Sequence, residues 1–120
     1  MTQIRNPKQY DLEDRTLKYA KQIISFVSLL PQTTANVEIK KQLIRSGSSV
    51  GANYIEANES LSKKDFSMRI KICRKEAKES IYWLKLIEVS SDDHEELRRQ
   101  LIQESNELMK IFGSILQKTK

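Results

Sequence analysis

Only one cysteine, two prolines and three glycines occur in these 120 residues. A lone Cys73 cannot form an intrachain disulfide, which leaves a reducing cytosol as the simplest setting. So few breakers exclude a turn-rich sheet protein and favour long helices with short connections. Aromatic residues make up 7% and histidine occurs once, as His94. One histidine among surface acids cannot by itself build a closed zinc site, which needs four N or S ligands. No apolar run reaches the length of a membrane span. The opening residues, Met1 to Pro7, lack the apolar core of a signal peptide.

What the chain does contain is charge, with a net of +5. Residues 63–78 hold Lys63, Lys64, Arg69, Lys71, Arg74, Lys75 and Lys78 against only Asp65 and Glu76. Such a run is either a solvated helix face or a surface for nucleic acid. Asp92, Asp93, Glu95 and Glu96 cluster in the opposite sense, as suits the positive end of a helix dipole.

Periodicity and punctuation predict four helices. Residues 1–10 read as an N-terminal arm, and residues 11–120 as a single domain. A first helix is expected from Asp11 to Leu30, with Leu12, Thr16, Tyr19, Ile23, Val27 and Leu30 at helical spacing and Pro31 ending it. A second is expected from an Asn36 cap to about Asn58. A third begins near Ser62, with Asp65 at capping-box spacing. A fourth begins near Asp92, with Glu95 three residues on. Ser80 falls on one apolar stripe of the third helix, beside Cys73, Ala77 and Leu84. Four long helices with short links predict an all-α, antiparallel up-down-up-down four-helix bundle. The third and fourth helices carry extra apolar stripes, which predicts self-association into a homo-oligomer.

The second helix holds an unusual segment, Arg45 to Asn58, with Gly47 and Gly51 each costing about 1 kcal/mol against alanine. A gain must offset that cost, through close helix approach, a polar network or a binding face. Arg45, Ser49, Asn53 and Glu56 share one face of this helix. If the second and third helices form a hairpin around residues 60–61, Arg45 stands level with Glu76 and one turn from Glu79. A polar network of these six residues is therefore expected, and it is open whether it fixes register or receives a ligand.

The same residues carry a resemblance. Asp14-Arg15-Thr16, Lys41 to Gly47, Ser49 to Tyr54, Ser62 to Phe66, Lys75-Glu76-Ala77 and Tyr82-Trp83-Leu84 resemble the bacterial four helix bundle protein family, also called the 23S rRNA-intervening sequence protein family. Its relatives include the accessory variability determinant proteins of diversity-generating retroelements. The resemblance implies a homopentameric ring and no catalytic activity, and some relatives bind a reverse transcriptase. Ile55 departs from the pattern, since relatives of this branch often carry a charge there. No phosphate loop and no Glu-x-x-His pair for a diiron site is present. The reading is a cytoplasmic, non-enzymatic scaffold or accessory protein with no cofactor, no membrane and no small-molecule substrate. RNA, DNA or a nucleic-acid-handling protein would meet Lys40, Lys41, Lys63, Lys64, Lys71, Arg74, Lys75 and Lys78. The alternative is a purely structural or protein-interaction module.

Overall fold

A computed structural model describes residues 7–120, with side chains from Asp11 onward. The expected arm at residues 1–10 lies outside the described residues as far as residue 6. Helix α1 runs Pro7–Ser28, α2 Thr34–Asn58, α3 Lys63–Leu86 and α4 Asp92–Lys118. The chain makes α1 earlier than Asp11 because proline is tolerated at a first helical position, where its missing N–H has no partner to lose. Each helix packs on the next and α1 also meets α4, which closes a four-helix bundle.

Local chemistry sets the helix starts. Ser62 accepts from the Asp65 backbone N–H, and Ser91 from that of His94. The second start differs from expectation. Thr33, not Asn36, is the cap, and its hydroxyl accepts from the Asn36 N–H. Asn36 is fully buried and ties two corners together. Its Nδ2 donates to the carbonyls of Pro31 and Glu88, and its Oδ1 accepts from the Glu88 N–H at 3.0 Å. No described residue has a positive φ, so α2 stops at Asn58 without a left-handed residue.

The core is built from the predicted stripes. Tyr19 and Ile23 of α1, Leu43 and Val50 of α2, Ile70 and Leu84 of α3, and Leu108 and Phe112 of α4 are buried. A polar layer crosses it, with one residue from every helix. The Tyr19 hydroxyl lies 2.5 Å from Ser105 Oγ, and Ser46 Oγ lies 2.7 Å from Ser80 Oγ. Ser80 and Ser105 also donate to carbonyls one turn back, so no hydroxyl of the layer is left unpaired.

Candidate nucleic-acid interface

Helix α3 touches α2 on one side and α4 on the other. At about 100° per residue, Ile70, Cys73, Ala77, Ser80 and Leu84 make its buried side. Lys63, Lys64, Lys71, Arg74, Lys75 and Lys78 fall within one arc of about 120° that begins beside the buried side and runs round to the face opposite it. All six are exposed, and Lys85 continues the row. Among the described residues, none of these cations takes part in a salt bridge. Arg69 is the exception in the basic run. It turns toward α2, where its Nη1 donates to Asn53 Oδ1 at 3.1 Å.

The two α2 lysines stand apart from this row. Lys40 Nζ donates to the Leu30 carbonyl at 2.9 Å and to Gln32 Oε1 at 2.8 Å, so it closes the end of α1. Lys41 is exposed on α2 and lies 3.7 Å from Glu38. Helical spacing puts it one turn before Arg45 on α2, outside the α3 row.

The acids are placed elsewhere. Arg15 Nε and Nη2 donate to the two oxygens of Glu104 at 2.8 Å, and Nη2 reaches Glu107 at 3.1 Å. This fork joins α1 to α4, and its hydrogen bond with Glu104 raises the Arg15 pKa. Glu95 pairs with Arg98, whose hydrogen bond lowers the glutamate pKa. Arg98 Nη1 also donates to the Ile87 carbonyl at 2.6 Å and finishes α3. Beside the fork, Phe26, Leu29, Leu97 and Leu101 floor an open groove between α1 and α4, with charges of both signs on its rim.

The polar face of α2 divides into two parts. Arg45 Nη1 donates to Glu76 Oε2 at 2.8 Å, and its Nη2 pairs with Glu79. Trp83 Nε1 points at Glu79 from 3.4 Å. The buried partner is Glu76, with 9% of its side chain exposed, whereas Arg45 is 47% exposed. The carboxylate, not the arginine, is thus the buried member of the pair. A buried carboxylate draws an arginine whose far side stays in water. Asn53 forms the second part with Arg69, and its Nδ2 donates to the Ser49 carbonyl. Ser49 Oγ is spent on the Arg45 carbonyl at 2.7 Å. Glu56 is exposed and joins neither part.

Sequence reasoning missed the Arg15–Glu104 fork and the Tyr19–Ser105 contact. Their signal was weak: Arg15 and Ser105 sit beside or within apolar stripes, but nothing local names a partner almost ninety residues away. Cys73 is fully buried, and burial pushes its thiol up to about 12, so it is no nucleophile at neutral pH. His94 is half-buried rather than solvated, and its Nδ1 has no hydrogen-bond partner among the described residues.

The family model for the 23S rRNA-intervening sequence protein matches residues 8–114. A crystal structure of a protein of unknown function from the S23 ribosomal protein family of Bacteroides thetaiotaomicron VPI-5482 superposes with a TM-score of 0.80. The two chains share 32% identity over 92% of this chain and 98% of that one. A search of curated proteins finds no match.

Proposed function

This chain belongs to the 23S rRNA-intervening sequence protein family, and on that premise we propose a non-enzymatic, homo-oligomeric scaffold that contacts nucleic acid through α3. The observation that carries the reading is the row of exposed cations, Lys63 to Lys85, none of which pairs with a carboxylate among the described residues. A row of that kind is an electrostatic footprint for phosphates, and each phosphate it neutralises releases condensed counterions. Lys40 serves the fold and adds nothing to the contact; Lys41 is a peripheral charge.

The test is fluorescence anisotropy of the full chain with labelled RNA and DNA strands at low and physiological salt. The reading expects binding that falls steeply as salt rises. Absence of binding at low salt removes it and favours the protein-interaction module. A specific observation supports that second reading: Leu17, Ile24, Val37 and Ile55 leave apolar surface exposed on α1 and α2.

The stripe expected on α4 is instead partly buried against the core, so these α1 and α2 side chains, with Met68 of α3, support self-assembly, and five copies is the number the family resemblance implies. Sedimentation velocity should show a species several times the 14.0 kDa chain mass. A monomer at high concentration contradicts this part alone.

A further inference from the structure

We propose that the α3 face takes single-stranded nucleic acid, with Tyr82 as the platform on which an unpaired base stacks. The inference rests on the nucleic-acid reading above and names the form of its ligand. Tyr82 is 60% exposed, and no other aromatic ring among the described residues is a large exposed side chain. It follows Lys75 by seven residues and Lys78 by four, and precedes Lys85 by three, so helical spacing sets it in the cation row. The ring is held in place. Its centroid lies 5.0 Å from that of Trp83, at 75° and edge-on. Trp83 is in turn fixed by Glu79, which Arg45 holds from α2. One turn further on, Leu86 is half-exposed on the same side of α3.

A rigid, exposed ring among unpaired lysines is the composition of a single-strand surface, where cations track the backbone and rings take up bases. A duplex keeps its base faces covered, so it could use the lysines but not the ring. Lysine presents a point charge rather than a base-reading fork, so the contact is tolerant of sequence.

The experiment compares the full chain with its Tyr82→Phe and Tyr82→Ala variants in anisotropy titrations against a short single strand and a duplex of equal length. A fluorescent purine analogue within the strand reports stacking directly. The wild type should prefer the strand and change the analogue's emission. Tyr82→Phe should keep both properties, and Tyr82→Ala should lose about tenfold in affinity together with the emission change. Circular dichroism should be the same for all three, since the ring is on the surface. Wild-type affinity in Tyr82→Ala, or a preference for duplex, overturns the stacking platform and leaves the basic face standing. No binding by the wild type to either ligand overturns both.

Discussion

At Gly51 the absence of one carbon decides how close α1 can come to α2. A Cβ there would lie 2.9 Å from Thr16 Oγ1 and 3.1 Å from Thr16 Cβ. Thr16 cannot swing aside freely, since it is buried and its hydroxyl donates to the Leu12 carbonyl at 2.9 Å. Gly51→Ala should therefore destabilise the fold by about 1–3 kcal/mol, the usual cost of overpacking. Gly113 has nothing within 4 Å of such a carbon, and Gly113→Ala should stabilise by about 0.5–1 kcal/mol through helix propensity. Urea unfolding of the two variants reads both signs, and an unchanged midpoint for Gly51→Ala would contradict the close approach. Helix propensity marks Gly47 and Gly51 alike as costs to a helix. It could not tell that a neighbour requires Gly51, because the neighbour is Thr16, far away in the chain. Gly47 is tight as well, since a Cβ there would overlap the tip of Ile23, which is itself fully buried.

Helices were legible to the degree that their ends depend on local chemistry. Ser62 caps α3 because its side chain and the Asp65 N–H are three residues apart, a relation written in the chain. The expected cap of α2 is Asn36, yet the structure uses Thr33 three residues earlier, and local chemistry does not choose between them. The choice is made by the Glu88 backbone, which Asn36 clamps from a distance of fifty-two residues. Lys40 is a similar case. Its spacing made it one more basic residue, while the carbonyl of Leu30 across the corner claims its ammonium. The α3 cation row is the opposite case. A helical period was enough to assemble it, because its members need no partner from another element. Arg45 and Glu76 lie between these cases. Hairpin arithmetic sets them level, but only packing reveals that Glu76 is the buried member.

Across the whole molecule, charge is sorted by helix side. Carboxylates of α4 face α1 through Arg15 or crowd the helix start, while the outer arc of α3 is left with cations alone. Sorting of this kind matters more than the net +5, since exposed charges beyond about 8 Å are largely screened at physiological salt. It was only partly legible, because the Arg15 fork that occupies Glu104 and Glu107 joins opposite ends of the chain. No described helix is long and apolar enough to cross a membrane.

The central claim, that α3 holds phosphates, is tested most directly by the salt dependence of strand binding. The measurement compares the wild type with a Lys71→Ala, Arg74→Ala, Lys78→Ala variant, plotting log affinity against log salt. All three side chains are exposed, so the fold should survive their removal. The account predicts a shallower slope for the variant, by about 0.7 for each single-strand phosphate that is no longer neutralised, with weaker binding throughout. The same slope and the same affinity in both proteins would contradict it.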